Sequence, residues 1–175
     1  MSMTSDKHLT KIELDLLVRL MKRSLDESPR DSLLILLGIY TGSRASELLN
    51  LTWGNIDAGS KSLVINTLKG GNKREIPLKP WLFNALMKFA RASSLKDISS
   101  QKIFPISRQR LFQIWDKYRP VKKPFHSLRH TFALNIYGKK QDINIVKYAL
   151  GHKSLASTTV YLDYHYSLNE LRRIL

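Results

Sequence analysis

The chain has 175 residues, no cysteine, 43% hydrophobic residues, and 29 Lys plus Arg against 14 Asp plus Glu, for a formal charge of +15 and a pI near 10.1. That is one domain's length with enough apolar content for a core, which excludes wholesale disorder, disulfides, thiolate catalysis, iron–sulfur clusters and cysteine zinc sites. The expected partner is a polyanion, nucleic acid rather than a membrane: the longest apolar stretch, Leu33 to Tyr40, is too short to span a bilayer, and MSMTSDKHLT lacks the hydrophobic core of a signal peptide, so a cytoplasmic location is expected.

The first helix has a complete start signal. Leu9 is the apolar residue before the cap, Thr10 and Glu13 form a T-x-x-E capping box, and Leu14 is spaced for the staple. Ile12, Leu16, Leu17 and Leu20 mark one helical face. A second helix follows Pro29 and runs through LLILLGIY, apolar enough to be buried nearly all round. RASELL, after Thr41 and Gly42, reads as a short helix with Arg44 and Glu47 in its first turn. The period then changes: Leu63 and Ile65 alternate with Val64 and Asn66, and KGGNKR leads to the strand-like EIPL, a hairpin with a Gly, Asn and Lys loop. Pro80 opens a helix carrying Leu82, Leu86 and Phe89. Further helices are expected at 107–118, 127–138, 142–149 and 154–162, with a last one at 167–175. The fold class is mainly α with a small antiparallel β-sheet, an α+β domain.

The charge is uneven. Residues 1–60 carry 7 basic and 8 acidic side chains, residues 61–100 carry 8 and 2, and residues 101–140 carry 10 and 1. Arg108, Arg110, Lys117, Arg119, Lys122 and Lys123 interleave with Trp115, Tyr118 and Phe125, the pattern of cations displayed from a packed scaffold to neutralise phosphates. Six residues in four motifs suggest chemistry: Arg44 in TGSRASELLNL, Lys69 in LKGGNKREIPL, His126 and Arg129 in HSLRHTFAL, and His152 and Tyr161 in LGHKSLASTTVY. Singly each is weak; together they suit in-line displacement at a phosphodiester. Two guanidinium forks can grip the non-bridging oxygens. Tyr161 can serve as the nucleophile, Lys69 can give a proton to the departing 5′ oxygen, His126 can take the phenol's proton, and His152 can donate a hydrogen bond to the phosphate. The arginines supply the charge, so no metal or other cofactor is expected.

These motifs and their order resemble the tyrosine recombinases, or phage integrase family, in their C-terminal catalytic domain. Lys69 lies 25 residues after Arg44, His152 lies 23 after Arg129, and Tyr161 lies 9 after His152, all intervals similar to the family's. The resemblance covers residues 8 to 170. It implies Arg44 and Arg129 as phosphate clamps, Lys69 as general acid, His126 as general base or donor, His152 as phosphate ligand, and Tyr161 as the nucleophile of a 3′-phosphotyrosyl intermediate. Glu47 matches an acidic residue one turn after the first arginine, an orienting role. Among Tyr137, Tyr148, Tyr164, Tyr166 and Tyr161, Tyr161 alone keeps the family interval. The hairpin reads KGGNK, which leaves Lys73 as a second candidate acid. Lys73, Arg74, Arg108, Arg110, Lys122 and Lys123 are the expected DNA contacts.

By this resemblance the partners are double-stranded DNA with inverted-repeat recombination sites, three further copies in a homotetramer, and DNA-bending accessory proteins, with no membrane. Nothing before Thr10 matches the family's N-terminal DNA-clamping domain, so residues 1–175 read as a single catalytic domain, either excised from a longer recombinase or one of the smaller members. The 167–175 helix has Leu168, Leu171 and Leu175 spaced for docking on a neighbour or in cis. Two other readings stay open: a type IB topoisomerase-like relaxing enzyme, and a non-catalytic DNA-binding regulator derived from an integrase.

Overall fold

The structure, a computed structural model, describes residues 6–67, 72–92, 99–162 and 172. Helix α1 (Lys11–Arg23) starts on the expected box: the Glu13 amide donates to the Thr10 hydroxyl at 3.3 Å, and the Thr10 amide donates to the Glu13 carboxylate at 2.8 Å. The apolar face is covered only in part. Leu17 and Met21 are buried, whereas Ile12, Leu16 and Leu20 are 57%, 50% and 43% exposed. Helical periodicity identifies residues that share a face but not whether anything covers it.

Helix α2 (Pro29–Thr41) begins on its proline and is the core's axis: Leu33, Leu34, Ile35, Leu36 and Leu37 are all fully buried. Each such side chain contributes about 1.5–3 kcal/mol of transfer free energy. The short α3 (Ala45–Leu49) follows. Strands β1 (Ile56–Asp57), β2 (Ser62–Ile65) and β3 (Arg74–Pro77) form an antiparallel sheet in that order, with Leu63 opposite Ile76 and Ile65 opposite Arg74. The hairpin agrees with its alternating pattern; the two-residue β1 is too short for any pattern to reveal. Helices α4 (Pro80–Ala92), α5 (Arg108–Tyr118), α6 (Ser127–Lys140) and α7 (Ile143–Leu150) complete the domain, with α2 packed against α1, α4 and α6. Trp115 and Phe125 are buried edge-to-face at 5.7 Å, so the basic stretch is indeed carried on a packed scaffold.

A smaller core joins Ala133 of α6 to Val146 and Leu150 of α7 and to Tyr161. The stretch expected to be a helix over 154–162 is instead two 3-10 turns, Leu155–Ser157 and Thr159–Tyr161. The β-branched run Thr158, Thr159, Val160 disfavours an α-helix, and the Ser154 hydroxyl accepts the Ala156 amide to cap only a short turn. The expected helix at 167–175, like Tyr164 and Tyr166, falls outside the described residues apart from residue 172. Among the described residues no helix is long and apolar enough to cross a membrane.

Candidate active site

Two helix ends set the site's frame. Gly42 closes α2 at φ +60°, where a Cβ would collide with the Phe132 ring, and its carbonyl accepts a hydrogen bond from Arg129 Nη1 at 2.8 Å. Gly151 closes α7 at φ +67°, where a Cβ would sit 2.8 Å from both the Asn72 carbonyl oxygen and Thr67 Oγ1. Glycine therefore lets the last motif's backbone lie directly on the β2–β3 hairpin, and the Asn72 amide donates to the Gly151 carbonyl at 3.2 Å.

Glu47, 1% exposed at its side chain, is the hub between those ends. Its carboxylate accepts from Arg44 Nη1 at 3.0 Å, from the Arg44 amide at 2.9 Å and from Arg74 Nη2 at 2.8 Å, and it lies 3.8 Å from Arg129 Nη1. Burial alone would raise the Glu47 carboxyl, but the Arg74 hydrogen bond and charge, the Arg44 amide and Arg129 outweigh it and hold it below its ordinary value. Arg129, 2% exposed, gives Nη2 to the Leu150 carbonyl at 2.7 Å and to His152 Nε2 at 3.0 Å. Desolvation, then Arg44, lowers its pKa to about 10, and it stays charged at neutral pH.

Because a guanidinium only donates, His152 Nε2 accepts, so the ring's proton lies on Nδ1 and is donated to the buried Thr158 hydroxyl at 2.9 Å. Desolvation and then Arg129 and Arg44 depress this imidazole to about 4. His152 is thus neutral, and it can donate to a phosphate through Nε2 only once the contact with Arg129 opens and the ring proton moves from Nδ1 to Nε2.

Arg44, Glu47, Arg108, His126, His152 and Lys153 line an open cleft of about 620 Å³. Arg129 contacts two of these residues, His152 and Glu47, from its buried position. His126, at the start of α6, opens onto the cleft and packs edge-to-face on His130 at 4.7 Å; desolvation, then Arg129 and Arg44, holds it below the ordinary histidine range. Tyr161 is 2% exposed, and its hydroxyl meets His130 Nδ1 at 3.2 Å. Burial raises its phenol against the opposing pull of Arg129 and Arg44, so at neutral pH it is protonated. The phenol's partner is thus the second histidine of the motif rather than His126, the expected one.

Three of the six expected chemical residues, Arg44, His126 and His152, therefore line one cleft; Arg129 is joined to it through His152, Tyr161 is joined to the His126 motif through His130, and Lys69 lies outside the described residues. Two expected DNA contacts are corrected. Arg74 has a fully buried side chain paired with Glu47, because its strand position points into the Gly151 junction rather than to solvent. Lys123 donates to the His8 carbonyl at 2.7 Å and to Glu13 at 3.1 Å, tying α1 to the loop before α6. Lys73, Arg108, Arg110 and Lys122 are exposed. Of the competing phenols, Tyr148 is 61% exposed on α7, and Tyr137 packs against the smaller core. His130 and Thr158 were missed by sequence reasoning. His130 follows His126 by four residues, one helical turn, a spacing that could have flagged it; the burial of Thr158 had no local signal.

The phage integrase family model matches residues 7–167. The chain is 29% identical over 167 residues to tyrosine recombinase XerA of Pyrococcus furiosus, covering 90% of this chain and 57% of that protein. It resembles the crystal structure of XerH site-specific recombinase bound to difH substrate in a pre-cleavage complex, with 26% identity and a TM-score of 0.75 over 96% of this chain and 53% of that one. The catalytic domain of bacteriophage HP1 integrase shares the fold, with a TM-score of 0.65 at 20% identity over 96% of this chain and 94% of that one. The chain spans about half the length of the curated relatives it matches.

Proposed function

The chain belongs to the phage integrase family, and from that premise we propose that it is the catalytic domain of a site-specific DNA recombinase that cleaves and rejoins duplex DNA through a tyrosyl phosphodiester. The observation that carries this reading is the convergence of the arginine, histidine and tyrosine motifs on one cleft floored by the Glu47 hub.

In this mechanism the scissile phosphate enters the cleft and meets Arg44, whose side chain is accessible, and it displaces His152 from Nη2 of the buried Arg129 to reach the second guanidinium. Glu47 and the Gly42 and Leu150 carbonyls hold both guanidiniums in place before substrate arrives, which is how preorganised charge stabilises a pentacovalent transition state without rearrangement at the moment of reaction. Tyr161 attacks as its phenol proton passes to a histidine of the HSLRH motif, the P–O5′ bond breaks as Lys69 protonates the departing 5′ oxygen, and His152 donates to the phosphate after its ring proton has moved from Nδ1 to Nε2. Attack by the 5′ hydroxyl of a partner strand then reverses the step, so the ester conserves the bond energy. Arg108, Arg110 and Lys122 embrace the flanking backbone. A homotetramer on paired inverted repeats, with bending proteins where the element uses them, is the corresponding assembly.

The test is trapping on a library of genomic duplexes carrying nicks, from which covalent protein–DNA adducts are recovered and their phosphotyrosyl peptide sequenced. The intact chain should yield an adduct at Tyr161, and Tyr161→Phe should yield none. An adduct persisting in Tyr161→Phe, or none from the intact chain, overturns the reading. Strand exchange between two duplexes, as opposed to relaxation of one, separates recombination from a topoisomerase activity.

A further inference from the structure

We infer that His130, rather than His126, is the group that accepts the proton of Tyr161, on the strength of the direct contact between its Nδ1 and the phenol oxygen. This inference rests on Tyr161 being the nucleophile proposed above. Three observations point the same way. Tyr161 Oη lies 3.2 Å from His130 Nδ1, within reach for proton transfer, and the rings are 5.8 Å apart. His126 packs on the His130 ring at 4.7 Å and lines the phosphate cleft, whereas the phenol's hydrogen bond goes to His130. Both partners are sheltered: Tyr161 belongs to the α6–α7 core, and His130 is half-buried.

The surroundings explain why a base is needed and why this one is free to act. Desolvation keeps the phenol protonated at neutral pH, so it arrives at the reaction as a poor nucleophile. His130 is held neutral, its pKa lowered to about 4 by desolvation and then by His126, Arg129, Lys7 and His8. A neutral imidazole has one bare nitrogen; with Nδ1 facing the phenol, the ring proton lies on Nε2. As the phenol swings towards the phosphate, its O–H bond breaks, the proton passes to the Nδ1 lone pair, the Oη–P bond forms, and the P–O5′ bond breaks with the general acid protonating the 5′ oxygen. The negative charge of the phosphate held nearby stabilises the imidazolium so formed. On rejoining, His130 returns the proton to the phenolate. The two histidines of HSLRH thus divide the work, His126 on the phosphate and His130 on the nucleophile.

The experiment measures single-turnover adduct formation on a nicked duplex recovered in the trapping above. His130→Ala should slow cleavage by about 100-fold or more while duplex binding stays within about threefold, the scale of a lost general base. Substituting Tyr161 with a fluorotyrosine, whose phenol is more acidic, should restore part of the lost rate in His130→Ala, because an easier proton needs less help to leave. Should His130→Ala fail to bind duplex, His130→Asn, which keeps a short polar side chain, carries the same measurement. Cleavage at or above the rate of the intact chain would overturn the inference, and a faster rate would make the contact a restraint on the tyrosine. A slow variant that binds DNA but gains nothing from the fluorotyrosine would overturn it too, leaving His130 only a positioning role. In each case the intact chain's adduct at Tyr161 still stands, so failure here is distinct from failure of the recombinase reading.

Discussion

Two sets of basic residues in this domain stand in opposite circumstances. Arg74 and Arg129 are buried, held by Glu47 and, for Arg129, by backbone carbonyls. Arg108, Arg110 and Lys122 stand in solvent. A guanidinium already desolvated and anchored can act on a transition state, whereas a solvated one contributes mainly salt-dependent affinity. Net charge counts both alike; burial separates them.

The largest effect that would break this contrast is at the hub. Glu47→Ala leaves two guanidiniums buried without their carboxylate and should cost about 3–5 kcal/mol of stability, read from urea unfolding; a loss below about 1 kcal/mol would mean that the carbonyls suffice. Arg129→Lys keeps the charge but cannot span Gly42 and Leu150, so cleavage should fall about 100- to 1,000-fold, with a lower melting temperature from the stranded carbonyls. Equal losses in DNA binding and cleavage would make Arg129 an anchor only.

A third prediction concerns pH. His130 and His152 fold with values of about 4 against an ordinary 6.5, so below pH 6.5 the unfolded chain binds protons that the folded one refuses. Stability should be full above pH 6.5 and decline steadily towards pH 4, and replacing either histidine with Gln should flatten that decline in a denaturation series across the window. The smallest effect sharpens the contrast most finely. Lys122→Ala should lower the slope of log affinity against log salt by about 1. Lys123→Ala, in a residue tied to His8 and Glu13, should leave the slope unchanged and cost about 1–2 kcal/mol of stability instead.

The parts of the fold legible in the sequence were those written locally. The Thr10–Glu13 box, the proline start and apolar run of α2 and the alternating hairpin each follow from contacts within a few residues. The 3-10 turns that end at Tyr161 were misread as a helix because β-branched crowding decided them, and the exposure of Ile12, Leu16 and Leu20 had no local signal because neighbours decide what is covered. The site divides in the same way. The motif residues were found by their spacing, but the inward turn of Arg74, the tether role of Lys123 and the pairing of Tyr161 with His130 depend on residues 27, 110 and 31 positions apart in the chain.

By itself, then, the sequence determined the α+β class, the family resemblance and the residue types able to handle a phosphate, since capping, alternation and motif spacing are properties of short stretches of chain. Only the tertiary structure decided which of those side chains keep their water and which lose it. That choice made two of the basic residues fixed parts of a buried network and gave the tyrosine's hydroxyl to the second histidine, because desolvation and hydrogen-bond partnership arise where distant segments meet.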